Sequence, residues 1–152
     1  MNIPIDLMQY RDRLKVKKEA GKTWLFDRLR RKWVVLQPEE LVRQLMVWYL
    51  IDEKGYNTSR IKLEKGLKVN KLSKRCDILV YDAQVVPYML VECKAPQVAI
   101  TGETFRQNDI YNLPLQAPYL VVTNGLFTYC CSIEYATSSW EFLGSIPDYP
   151  AD

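Results

Sequence analysis

Two apolar runs constrain this chain more than anything else in it: Lys74-Arg-Cys-Asp-Ile-Leu-Val-Tyr-Asp82 and Met89-Leu-Val-Glu-Cys-Lys-Ala-Pro96. Each is short, rich in aliphatic and β-branched residues, and bounded by polar ones, so the pair reads as two strands of a hairpin. A turn centred between Gln84 and Val85 sets Ile78 opposite Val91, Leu79 opposite Leu90 and Asp77 opposite Glu92. Side chains alternate along a strand, so Glu92 and Lys94 share one face while Val91 and Cys93 point to the other. Two acids on one cross-strand pair repel unless something positive lies between them. A divalent metal ion or Lys94 supplies that charge. The first makes a hard oxygen site beside an ammonium that orients water or phosphate; the second makes a salt bridge on a solvated sheet face.

What is missing narrows the chemistry further. The 152 residues contain no histidine, which excludes serine and cysteine hydrolases built on a histidine base, histidine-ligated zinc sites and histidine-dependent nucleases. Any hydrolysis must run on carboxylates, lysine and metal. The cysteines Cys76, Cys93, Cys130 and Cys131 lack metal-finger spacing and sit in or beside strand-like segments, so buried reduced thiols are expected. No run of 18 apolar residues exists and the N-terminus has no signal-peptide pattern, which predicts a soluble, cytoplasmic protein without a membrane span.

Net charge is only +3, yet its distribution is lopsided. Residues 1–75 hold 19 of the 21 Lys and Arg against 9 acids, and residues 76–152 hold 2 against 9. The basic half suits a phosphate-facing surface, and the acidic half contains the candidate cation site.

With 48% apolar residues the chain is large enough for one core. We expect a single domain over 1–152, with an N-terminal hairpin over 11–30, a core over 31–134 and an irregular tail over 144–152. Segments 14–18 and 23–29 read as the hairpin strands. The triplet Gly21-Lys22-Thr23 is not a P-loop, because Val16 stands where its first glycine belongs. Pro38, Glu39 and Glu40 start a helix that Gly55 stops, with Leu41, Leu45 and Trp48 on its buried stripe. Residues 59–64 alternate as a strand, 103–113 read as a short helix and 117–123 as a buried strand. Asn124-Gly125 signals a two-residue hairpin turn into 126–134, and 140–143 an edge segment. The implied sheet is a three-strand meander followed by a helical crossover to a fourth strand: an α/β architecture with a central mixed sheet flanked by helices.

Glu40 on the first helix, Asp77 and Glu92-x-Lys94 on paired strands, and Gln107-x-x-x-Tyr111 on the crossover helix together resemble the PD-(D/E)XK nuclease superfamily. More narrowly, Trp33-Val-x-Leu-x-Pro-Glu-Glu-x-Val-Arg-Gln44, Arg75-x-Asp-Ile-x-Val-Tyr-Asp82, Val91-Glu-Cys-Lys-Ala-Pro96 and Tyr119-Leu-Val-Val-Thr-Asn-Gly125 are similar to the N-terminal nuclease domain of type I restriction enzyme R subunits. The motif departs from its name at one place: Cys76, not proline, precedes Asp77.

The resemblance implies a restriction-endonuclease-like core and a Mg²⁺-dependent (or Mn²⁺-dependent) DNA endonuclease without sequence specificity of its own. In that scheme Asp77, Glu92 and Glu40 ligate the metal, and Lys94 positions or helps deprotonate the attacking water. Gln107 and Tyr111, with Arg43, Gln44 and Arg75, orient the site or contact DNA. It also implies motor, methylase and specificity subunits of a restriction complex as partners, since R subunits of this kind continue into an ATP-driven translocase for which these residues supply no P-loop. The alternative is a non-cleaving DNA-binding or assembly module that keeps the nuclease fold.

Overall fold

The computed structural model describes residues 2–69, 72–106 and 115–151, with 64–69 and 72–76 described by backbone alone. Strands β4 (Ile61–Val69), β5 (Leu72–Tyr81), β6 (Pro87–Cys93), β7 (Tyr119–Thr123), β8 (Thr128–Glu134) and β9 (Ser139–Leu143) form one six-stranded sheet in that spatial order. Every neighbouring pair is antiparallel except β6 and β7, which are parallel. A parallel pair needs a crossover, and helical residues 102–106 lie on that connection. The expected meander (β4–β6) and crossover strand (β7) are therefore one side of the sheet, which β8 and β9 extend beyond β7.

The β5–β6 register follows the sequence: Ile78 pairs with Val91, Leu79 with Leu90 and Val80 with Met89. A shift at Val80/Tyr81 then moves Tyr81 opposite Pro87. The turn behind it is held by Asp82, whose Oδ1 accepts hydrogen bonds from the backbone N–H groups of Gln84 (2.9 Å) and Val86 (3.0 Å). This alternation sorts the sheet into two cores. Ile78, Val80, Met89, Val91, Cys93, Val121 and Cys130 face a cluster with the first helix, while Leu79, Leu90, Leu120, Val122, Cys131 and Ile133 gather with Phe105 of the crossover.

Helix α1 (Pro38–Trp48) starts as expected, with Pro38 in its first turn and Glu39 and Glu40 near its positive end. It does not run on to Lys54. From Tyr49 to Glu53 the backbone widens into a π-turn, and Gly55, at φ 68°, ends it. The buried stripe also differs from the expected one: Val42, Leu45, Met46, Val47 and Leu50 are inside, whereas Leu41 and Trp48 lie at its edges. Helix α1 is covered on two sides, by the sheet and by the N-terminal segment, so a wider arc is buried than an amphipathic surface helix shows. That segment is a 3₁₀ helix over Leu7–Arg13, capped by Asp6 and seated through Leu7 and Tyr10. Ahead of it, Ile3 N–H donates to the carbonyl of Thr128 at 2.7 Å.

Three further differences have local causes. The N-terminal hairpin is a three-stranded antiparallel sheet, because Lys32–Val35 (β3) pairs with Lys22–Asp27 (β2), itself paired with Val16–Glu19 (β1). Asn124-Gly125 does not make a two-residue turn. Thr123 pairs with Thr128, leaving a four-residue loop in which Asn124 Oδ1 accepts from the N–H groups of Leu126 (3.0 Å) and Phe127 (2.7 Å). The Asn side chain thus adds an Asx turn to the backbone bond from Asn124 N–H to the Phe127 carbonyl (3.1 Å). The tail is irregular but docked: Ile146 is buried, and Tyr56 Oη donates to the Pro147 carbonyl. Among the described residues no helix is long and apolar enough to cross a membrane.

Val85 sits at φ 62° with its side chain exposed, a conformation unfavourable for a β-branched residue. Replacing it by glycine removes about 1 kcal/mol of backbone strain. Val85→Gly is therefore expected to raise the urea midpoint with an unchanged m-value; a lower midpoint would contradict this account of the turn.

Candidate active site

The strand pair brings Asp77, midway along β5, together with Glu92 near the end of β6, each held differently. Asp77 Oδ2 accepts the backbone N–H of Cys93 at 2.8 Å, and its Oδ1 accepts from Arg43 Nη2 at 2.6 Å. Glu92 Oε1 lies 3.0 Å from Lys94 Nζ. Burial, and then the charge of Asp77, push the Glu92 carboxyl up from 4.5 to about 7. Burial pulls the Lys94 ammonium down, but Glu92 and Asp77 outweigh it and its pKa is raised. Lys94 is thus a cation at neutral pH. Its backbone N–H donates to the Thr123 carbonyl at 2.9 Å, fixing the chain as it leaves β6. The loop that follows is pinned by Asn124 Nδ2, which donates to the Val98 carbonyl at 2.9 Å.

Arg43 is only 5% exposed, and it joins α1 to β5. Besides Asp77, its guanidinium lies 2.9 Å from Glu40 Oε1 and 3.4 Å from Glu39 Oε1. Burial is the largest influence and works against its charge, but Asp77 and Glu40 together outweigh it and raise its pKa. Glu40 also accepts from Gln44 Nε2 at 3.2 Å and Arg30 Nη2 at 3.1 Å. Gln44 Nε2 in turn donates to Asp27 Oδ2 at 3.0 Å. Asp27 is fully buried. It accepts backbone N–H bonds from Leu29 (2.9 Å) and Arg30 (2.8 Å) and pairs with the Arg30 side chain. Burial would raise Asp27, but the Arg30 N–H, its guanidinium and Gln44 together hold it below its ordinary value.

The structure therefore joins Asp77, Glu92 and Lys94 in one cluster and ties Glu40, Arg43 and Gln44 into a network that meets it at Asp77. Arg43 and Gln44 point inward, not to solvent. Gln107 and Tyr111 lie outside the described residues, and so does the side chain of Arg75. Two members were absent from the sequence reading. Glu39 is raised by burial and by the charge of Asp77, so it faces the cluster from the first turn of α1. Asp27 alternates with Leu25 on the inward face of β2; an acid at an apolar register position was the available signal. Cys93, Cys130 and Cys131 are buried free thiols, as expected, and burial pushes the Cys93 thiol well up.

Among the described residues no group of three His, Cys, Asp or Glu side chains is placed to hold a metal ion. What exists is a two-carboxylate pair of hard oxygen donors whose mutual repulsion appears in the raised Glu92. That donor set fits Mg²⁺, which keeps several waters and takes one or two carboxylates.

A six-stranded mixed sheet with an acid within β5, a second near the end of β6 and a lysine just beyond it is a restriction-endonuclease-like arrangement. The family profile of the type I restriction enzyme R protein N terminus (HSDR_N) matches residues 38–147, and the chain belongs to that family. A solved fragment assigned as the HsdR subunit of a type I restriction enzyme from Vibrio vulnificus YJ016 is similar in fold. It has a TM-score of 0.52 and 19% identity, over 74% of this chain and 24% of that one. This chain thus spans about a quarter of the solved one. No curated protein matches the chain.

Two outcomes follow from the electrostatics. Asp27→Ala removes a fully buried acceptor from Arg30, Gln44 and the N–H groups of Leu29 and Arg30, while the bonds of Arg30 and Gln44 to Glu40 remain, and is expected to cost about 3 kcal/mol, read as a lower urea midpoint. Glu92 has a folded pKa raised above its unfolded value, so its contribution to stability is full below pH 4.5 and lost as pH rises toward about 7. Glu92→Gln should therefore gain stability relative to wild type across that window and hold a constant advantage above it. A flat difference in urea midpoint with pH would overturn the assignment.

Proposed function

We propose that this chain is the metal-dependent DNA endonuclease domain of a type I restriction R subunit, hydrolysing phosphodiester bonds without sequence recognition of its own. One observation carries the reading: buried Asp77 beside half-buried Glu92, with Lys94 Nζ 3.0 Å from the latter, in a chain of this family. Asp77 and Glu92 would hold Mg²⁺ or Mn²⁺. Bound there, the ion would polarise the scissile phosphate and acidify a water. Glu40 would join as a ligand only by giving up one of its guanidinium partners; as it stands, it acts on Asp77 through Arg43.

The protein's own groups divide the remaining work. Lys94, kept protonated by Glu92, aims its ammonium at the attacking water or a phosphate oxygen rather than accepting a proton. Arg43 fixes the Asp77 carboxylate against rotation, and the Cys93 N–H holds its second oxygen. Gln107, Tyr111 and Arg75 would contact the DNA backbone. The motor, methylase and specificity subunits of a restriction complex are the partners this reading implies, and the cytoplasm is where they would meet DNA.

The arrangement of Arg43 gives specific support to the alternative, a DNA-binding or assembly module that does not cut. A guanidinium 2.6 Å from Asp77 already neutralises one of the two carboxylates.

Plasmid nicking separates the two. With Mg²⁺ or Mn²⁺ the wild-type chain should relax supercoiled DNA. Asp77→Asn should abolish this, and Lys94→Ala should slow it by about 10²-fold or more. Undiminished cutting by either variant would remove the assigned site; no cutting by the wild type, alone or with motor subunit, would favour the module.

A further inference from the structure

The family match begins at Pro38, so the sheet formed by β1, β2 and β3 lies wholly outside it. Residues 11–32 carry ten Lys and Arg against three acids. The inward face of this sheet presents Leu25 and Asp27, both buried. The register places the alternate residues on the other face: Lys17 opposite Trp24, Trp24 opposite Val35, and Phe26 opposite Trp33. Lys15 adjoins Phe26 through the hydrogen bond from Phe26 N–H to its carbonyl, and Lys22 and Glu19 close the hairpin end. This outer face is therefore a row of three half-buried aromatic rings edged by three lysines and one acid.

The rings are held in place. Trp24 Nε1 donates to the Glu19 carbonyl at 3.3 Å, and Phe26 meets Trp33 edge-on at 5.3 Å between centroids. Lys17 Nζ lies 4.6 Å from the Trp33 ring centre and Lys15 Nζ 5.5 Å from that of Phe26. Lys17 Nζ also pairs with Glu19 Oε2 at 2.9 Å, an exposed contact that a phosphate would replace, so the positive charge at ring level lies where a sugar–phosphate chain would run beside bases stacked on the rings. Rings two residues apart on a strand are separated by about 6.8 Å, open enough for the splayed bases of a single strand and not for the closed stack of a duplex.

From this geometry we infer that the outer face of the β1–β3 sheet binds single-stranded DNA, with bases stacked on Trp24, Phe26 and Trp33 and phosphates beside Lys15, Lys17 and Lys22. A base on Trp33 displaces the Lys17 ammonium toward the adjoining phosphate. The choice of DNA rests on the proposed function. So does the direction of the strand: Val35, beside Trp24, lines a groove of about 320 Å³ shared with Gln37, Glu39, Glu40 and Arg43, and Arg43 touches Asp77. The groove thus links the Val35 edge of the platform to Arg43.

The test is the fluorescence anisotropy of a dye-labelled oligo-dT titrated with the whole chain in EDTA, at low and high salt. Base stacking on an aromatic ring makes Trp24→Ala and Trp33→Ala each about ten-fold weaker, with Trp33→Tyr close to wild type. Lys17→Gln, a surface change that leaves the rings in place, should lower the slope of log affinity against log salt by about 0.7. Unchanged affinity in Trp24→Ala and Trp33→Ala would overturn the proposal, and so would equal losses for oligo-dT and a blunt duplex. If the tryptophan variants lose their native circular dichroism, a wild-type salt slope in Lys17→Gln overturns it instead. Binding is read without divalent cation. Ring-dependent binding by a chain that never cuts plasmid therefore leaves this inference standing and removes the nuclease reading, and cutting without such binding does the reverse.

Discussion

One buried guanidinium orders the candidate site. Arg43 leaves α1 and reaches Asp77 on β5 at 2.6 Å while holding Glu40 on its own helix at 2.9 Å. A charge this deep is costly unless its partners are close and well aligned, so α1 has few orientations on the sheet that keep it satisfied. The apolar contacts of Leu45, Met46 and Leu50 supply the attraction between helix and sheet, which is non-directional. The guanidinium supplies the direction. In consequence Glu39, in the first turn of α1, comes within the field of Asp77 on β5.

The central hairpin was legible in the sequence because the physics that sets it is local. Side chains alternate with a period of two, and a one-residue slip would have turned Ile78, Val80, Met89 and Val91 out of their core. Only the bulge at Val80/Tyr81 escaped, being decided by how Asp82 closes the turn. The start of α1 was legible for the same reason, through proline, acids and helix dipole.

What was not legible depends on partners distant in sequence. Lys32–Val35 is too short and too polar at its edges to announce a strand, and it becomes one because β2 offers it a ladder. The buried arc of α1 is wider than its periodicity suggests because residues 7–13 cover a second side. Asn124-Gly125 is a strong turn signal, yet the Asn124 side chain captures two backbone donors and opens the loop to four residues. Asp27 was hidden for a related reason. Its role exists only once β2 is laid against α1 and Gln44 comes within 3.0 Å.

The charge of the assembled network supports the reading of the site independently of the motif. Among the described residues, Asp27, Glu39, Glu40, Asp77 and Glu92 are linked through Arg30, Arg43 and Lys94, so five carboxylates are met by three cations. The excess of two negative charges does not fall evenly. Asp27 and Glu40 are enclosed by guanidinium and amide donors, and Asp77 has Arg43 and a backbone N–H. Glu92 has Lys94 as its cation and otherwise meets the like charge of Asp77, and it is Glu92 whose carboxyl rises to about 7. Had the network been purely structural, a further lysine or a neutral glutamine at position 92 would have satisfied it at lower electrostatic cost. The negative excess is concentrated beside Lys94, where β6 ends, and the raised Glu92 carboxyl is its local signature.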